Sequence, residues 1–318
     1  MEEKERRKPL KNILGDKMNR GIYSLFLIVI LCVGFVVTAQ ACTVTIDELA
    51  LWAGGTIGTG TGVTISGSIA SASGININNG SSLNSIYTQG SVWLGKSVTV
   101  TGDIVANGQV DTAKSAVITG SSSSYSNFVL PQLDYLQQTT AGTTSVYAAA
   151  NSSQIITPGQ YSSWSLSSST TVTISSGTYS LSSFWIGSNS VVNVDTSAGD
   201  VILNVAGSFS AASGVSFVTS GSGNLYINVF NSDAWLDNNV SLTGVLKVFG
   251  GGLSTGTSVD LIGSFYATGN IYLGNDSQVT YVSQVIIPEP ASLVLFAAVS
   301  LIFILKARRP TNTSAAVS

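Results

Sequence analysis

The chain has 318 residues, 33 of them glycine and none histidine, and only 9% are charged. Seven of its 13 cations lie in the first twenty residues and three after residue 305. The segment 42–287 therefore sets Lys96, Lys114 and Lys247 against eleven carboxylates, a net charge of −8. That balance excludes nucleic acid as a partner, because binding phosphate needs a surplus of cations.

In chain order, Lys17 and Arg20 precede an apolar run from Leu25 to Val37, which Ala39-Gln40-Ala41 follows. A basic start, an apolar stretch of this length and small residues at the −3 and −1 positions predict a secretory signal peptide over 1–41, cleaved after Ala41 by signal peptidase, with translation starting at Met1 or at Met18. Cys42 stands directly after the cut, which leaves lipid modification open. With Cys32 removed, one cysteine remains and no intrachain disulfide can form.

From Thr43 the pattern is short apolar alternation broken by Gly, Ser and Asn, which reads as half-buried strands. The alternation repeats as Gly62-Val63-Thr64-Ile65-Ser66-Gly67, Ser97-Val98-Thr99-Val100-Thr101-Gly102, Asn239-Val240-Ser241-Leu242-Thr243-Gly244 and Ser258-Val259-Asp260-Leu261-Ile262-Gly263. Pro158-Gly159-Gln160-Tyr161 is echoed eighteen residues later by Ser176-Gly177-Thr178-Tyr179. A step of about 18–20 residues predicts an all-β, right-handed parallel β-helix, a solenoid of three short strands per coil with coils about 4.8 Å apart. The glycine closing each phrase is expected to supply the corner conformation. Coils are placed at 42–120 and, as the main run, at 155–285.

Between them, 121–154 breaks the period with a serine tract, Ser121 to Ser124, and then Leu130 to Gln138, whose apolar spacing suits a short helix. Leu133 and Leu136 are expected to pack on the solenoid flank or cap its end. The segment reads as a decorated insertion or a hinge.

An enzyme on this scaffold needs either an Arg or Lys base with carboxylate-bound calcium or two carboxylates across a groove. The segment 42–287 has no arginine. The carboxylate pairs Asp233 with Asp237 and Asp195 with Asp200 lie in Gly-, Ser- or Asn-rich loops, which points to polar loops between coils. Asp233, Trp235 and Asp237 are retained as a candidate sugar contact, with calcium as the one ligand ion left open. Trp93, Trp164 and Trp185 are either sugar platforms or core. Thr99-Val100-Thr101 and Thr171-Val172-Thr173 have the spacing of an ice-binding threonine array but do not recur in successive coils. No catalytic residue, resident metal or cofactor is expected.

The chain closes with Pro288-Glu289-Pro290, an uncharged run from Ala291 to Leu305, and Lys306, Arg308 and Arg309. The apolar run is long enough for a transmembrane helix once its cations snorkel. Both apolar segments keep their cations in the cytoplasm and leave the body outside. This tail, over 286–318, resembles the PEP-CTERM sorting signal of Gram-negative bacteria, an ordinary membrane anchor being the alternative. The resemblance implies recognition of Pro288, Glu289 and Pro290 by an exosortase, removal of the tail and delivery to the cell surface. The coils over most of 55–285 resemble bactofilin-like, polymer-forming β-helical domains, which implies self-association, here through exposed end coils. The leading expectation is a non-enzymatic surface or matrix protein associated with exopolysaccharide. A carbohydrate-binding or adhesive module is the alternative, and an atypical polysaccharide-active enzyme comes third.

Overall fold

A computed structural model describes residues 44–124, 129–134 and 136–282. The signal peptide expected over 1–41, with Ala39 and Ala41, and Cys42 after it, and the sorting tail expected over 286–318, with Pro288, Glu289, Pro290, Lys306, Arg308 and Arg309, lie outside the described residues. Among the described residues no helix is long and apolar enough to cross a membrane.

The body is all-β with parallel pairing throughout, one 20-stranded sheet wrapping two sides of the coils and an 11-stranded sheet forming the third. Alternation decides which side chains turn inward. In Thr171–Ser175, Val172 and Ile174 are buried and the hydroxyl residues point out. In register they stack on Val192 and Val194, so aliphatic side chains form continuous ladders down the interior. Aromatic rings continue the interior in the coils around Trp164: Trp164 meets Tyr179 and Phe184 edge-on at 5.4 and 5.1 Å, and Phe184 meets Phe209 at 5.7 Å. Polar ladders join the stack where groups cannot reach water, as where Asn228 Nδ2 donates to Asn204 Oδ1 at 2.9 Å.

Spatial order does not follow chain order. Along the 11-stranded sheet the strands run Val146–Ala148, Ser163–Leu166, Ser183–Ile186, Phe209–Ala211, Ala234–Leu236, Leu253–Thr255, Ile271–Leu273, then Thr56–Thr59, Gly74–Ile77, Ser91–Leu94 and Val110–Thr112. The last coil of the chain thus carries the first. At this seam Leu51, Trp52 and Ala53 pair with Phe265, Tyr266 and Ala267, and Tyr281 Oη donates to the Asp47 carbonyl.

This inversion accounts for the segment after residue 121, which must travel back from one tip of the rod to the other. Its serines Ser122–Ser124 pair with Ile104–Ala106 at one tip. The Trp52 indole then donates to Pro131 O at 2.9 Å, Asn231 Nδ2 to Gln138 Oε1 at 2.9 Å, and Gly142 N to Tyr161 O at 3.0 Å near the far tip. The expected helix over Leu130 to Gln138 is absent from its described residues. Ser124 and Gly142 lie eleven coil steps apart, about 53 Å, whereas eighteen helical residues reach only about 27 Å, so a helix cannot make the crossing. Leu130 is buried and Leu133 half-buried against an outer apolar stripe that includes Trp52, Ala70, Val105 and Tyr266. Packing on the flank, expected for Leu133, therefore occurs without a helix.

The corners also differ from expectation. The left-handed residue opens each phrase: Asn239, Ser97 and Ser258 each have φ of 56°, and Gly62 has 72°. Asn151, Ser169, Asn189, Gly214 and Asp276 occupy the same place in other coils. Asparagine and serine enter this conformation at less cost than bulky or branched residues, and each backbone N–H is satisfied by the adjacent coil, as Asn239 N is by Thr257 O at 2.9 Å. Closing glycines are needed with positive φ at Gly244 and Gly263 but not at Gly67, Gly102 or Gly120. Coil length reaches 25 residues between Asn189, Gly214 and Asn239, beyond the expected 18–20, because longer strands and the loops at 197–200 and 222–224 swell one corner. The Tyr phrases do not share a register at their offset of eighteen either, for Gly159 pairs with Tyr179. What the phrases share is local: each tyrosine hydroxyl donates to the carbonyl four residues back, Thr157 and Ser175.

Under the strap, burial of the Tyr266 phenol pushes its pKa up to about 12, and its hydroxyl donates to Ile46 O at 3.0 Å. An unfolded tyrosine ionises near pH 10, so between about pH 10 and 12 the folded chain binds more protons than the unfolded one, and stability must fall as pH rises. Urea midpoints measured across that window are expected to drop steeply, and Tyr266→Phe to flatten part of the slope. Tyr179 and Tyr226, also raised by burial, keep the remainder.

Candidate functional site

The three sides of the rod differ in chemistry. The strap covers one. The second carries small residues in two outward rows, in which the pairs Thr171 with Thr173 and Thr99 with Thr101 are separated by coils bearing Val191 with Asn193, Ser216 with Val218 and Asp260 with Ile262. That is no regular threonine array.

The third side, the 11-stranded sheet, concentrates the exposed aromatics. Every rung there but the end one, Val110–Thr112, has three positions, buried, outward and buried, as in Phe184-Trp185-Ile186, Ala234-Trp235-Leu236, Ile271-Tyr272-Leu273, Val92-Trp93-Leu94 and Val146-Tyr147-Ala148. Parallel register aligns the outward positions into one row, Tyr147, Ser165, Trp185, Ser210, Trp235, Ser254, Tyr272, Gly58, Asn76, Trp93 and Asp111. All five aromatics among the exposed large apolar side chains of the described residues stand in this row, 42% to 68% exposed. From Tyr147 to Tyr272 they occupy every second coil, about 10 Å apart, with serine between. The small residues make room for the rings. Tyr147 Oη accepts a hydrogen bond from Ser167 Oγ of the next coil at 3.2 Å, and a Cβ on Gly58 would stand 3.4 Å from the Tyr272 ring. Both rings thus reach over the neighbouring rung. Asp111 is the one charge in the row.

The structure separates the three residues retained from the sequence. Trp235 is on the ladder. Asp233 accepts from Gly252 N at 2.7 Å, and Asp237 from Ser213 Oγ and Asn238 N at 2.8 Å each, so both carboxylates hold corners. Trp93 and Trp185 also join the ladder, whereas Trp164 is buried in the core. Asp195 and Asp200 are corner acceptors as well, from Ser197 N at 3.0 Å and Asn224 N at 2.8 Å. Hydrogen bonding from Ser197 lowers the Asp195 pKa, the reverse of what a general acid requires. Among the described residues no group of three or more metal-ligating side chains occurs.

Sequence reasoning passed over Tyr147 and Tyr272 and the alignment of all five. A signal was present: every residue of the row lies four places before its coil's left-handed corner, as Trp235 does before Asn239 and Tyr272 before Asp276.

No family model and no curated protein matches the chain. Among solved structures, an ice binding protein from an Antarctic bacterium, Flavobacteriaceae, aligns at 8% identity over 77% of this chain and 99% of that one, with a TM-score of 0.30.

Proposed function

We propose that this chain is an exported, non-catalytic rod that holds polysaccharide along its aromatic face. It is sorted to the cell surface by an exosortase acting on Pro288-Glu289-Pro290 and resides in or on the exopolysaccharide layer. The observation that carries the binding reading is the alignment of Tyr147, Trp185, Trp235, Tyr272 and Trp93 in one outward row. Exposing aromatic area in a soluble body is unfavourable unless a partner covers it. Sugar rings are suited to that, since their C–H faces lie against the negative π-face of Trp and Tyr while their hydroxyls keep water. Non-catalysis is supported by the use of Asp195, Asp200, Asp233 and Asp237, the carboxylates of the two candidate pairs, as corner acceptors.

The test is a glycan array with the full chain in detergent, beside the double variant Trp185→Ala/Trp235→Ala. Binding to at least one glycan class is expected, with a loss of about a hundredfold in the variant, about 1.4 kcal/mol for each ring. A blank array, or equal binding by the variant, rules the reading out. In the native cells, deletion of Pro288 to Pro290 is expected to leave the chain at its unprocessed mass; unchanged processing would defeat the sorting part.

A further inference from the structure

The ladder has a period as well as a composition. Tyr147, Trp185, Trp235 and Tyr272 sit on alternate coils, with Ser165, Ser210 and Ser254 between them. Their spacing is about 10 Å, along one register column that climbs the stack of coils. A ligand that uses more than two of these rings must itself be straight and must present an apolar face at the same interval. An extended β-1,4-linked sugar chain has that form: equatorial bonds at both ends of each ring keep it linear, and its two-fold screw repeats the same ring face every second sugar, about the length of two coils.

We infer that the ladder takes a neutral, unbranched β-1,4-linked polysaccharide in its extended form, laid along the rod with every second sugar stacked on an aromatic ring. This rests on the glycan-binding reading above. Four aromatics from Tyr147 to Tyr272 cover about seven sugars. Trp93 lies three coils beyond Tyr272, out of step with a two-sugar repeat, so the in-phase stretch ends at Tyr272. The serines between the rings leave the alternate sugars unstacked and hydrated. A net charge of −8 over 42–287, and Asp111 as the one charge in the row, disfavour uronate polymers. Helical glycans such as α-1,4- or β-1,3-linked glucans curve away from the row after one or two contacts.

The probes are neutral β-1,4-linked oligosaccharides of one to nine sugars, an α-1,4-glucan, a β-1,3-glucan and polygalacturonate, titrated calorimetrically into the full chain in detergent. Affinity is expected to rise in steps of two sugars and to level off at about seven. Trp235→Ala should cost about tenfold for the heptasaccharide and abolish the upper steps, and Trp235→Phe should restore part of the loss. Since Trp235 points outward, the urea midpoint of each variant checks that the fold is intact. Equal affinity for the helical glucans, or no dependence on length, would overturn the inference while leaving glycan binding in place. Failure of every glycan would overturn both. So would a dimer that Trp235→Ala dissociates in sedimentation, which would assign the ladder to a second copy of the chain.

Discussion

Replacing Phe265 by alanine is expected to lower the unfolding free energy by about 3–5 kcal/mol, the usual cost of a fully buried phenylalanine. Its side chain has no solvent exposure, and its strand position pairs with Leu51 across the seam. In a solenoid each coil touches only its neighbours, so stability is a sum of coil terms and interface terms. A hole at the one interface that joins the two runs of coils should therefore weaken their coupling as well as the core. Urea unfolding followed by tryptophan fluorescence and far-UV ellipticity is expected to show a lower midpoint and a broader transition. Phe265→Leu, which keeps most of the volume, should cost less than about 1.5 kcal/mol. A sharp transition with a loss under about 1 kcal/mol in the alanine variant would mean that the seam is not part of the continuous core.

Gly263→Ala is expected to cost about 3 kcal/mol or more, from strain and overlap together. Gly263 has φ of +131°, and an added Cβ would overlap the Gly244 carbonyl. Gly244, stacked on it with φ of +149°, is itself closed off by Leu225 O at 2.6 Å from its own Cβ position. Gly199 separates the two contributions, since it has almost the same φ, +132°, with nothing within 4 Å of its Cβ position. Gly199→Ala should lose only the backbone part, about 1–2 kcal/mol. Equal losses at the two positions in thermal or urea unfolding would show that close stacking of coils contributes nothing at this corner.

Alternation and period made the parallel stack legible, because a strand's inward positions, such as Val172, Ile174, Leu242 and Leu261, declare themselves within a few residues. The axial order of the coils was hidden. It depends on Leu51 meeting Phe265, a pairing 214 residues apart to which no local pattern points. The leucine spacing around Leu130 misled for the same reason: with the tips far apart, distance overrides helix periodicity. At the corners, attention to closing glycines obscured the opening Asn and Ser residues, whose hydrogen bonds to the next coil make a left-handed conformation tolerable. Individual tryptophans could be picked out as candidates from the sequence. Only register turned Trp93, Trp185 and Trp235, with two tyrosines not singled out beforehand, into a row.

The seam has a consequence for how the molecule is made. Thr56–Thr59, in the first full coil synthesised, rests on Ile271–Leu273, which is among the last. The early half therefore has no floor to build on until almost the whole chain is available, and closing so distant a contact is slow. A polypeptide wired in this way stays unfinished while it is being made, and it sets into a rod only once nearly all of it is free to close.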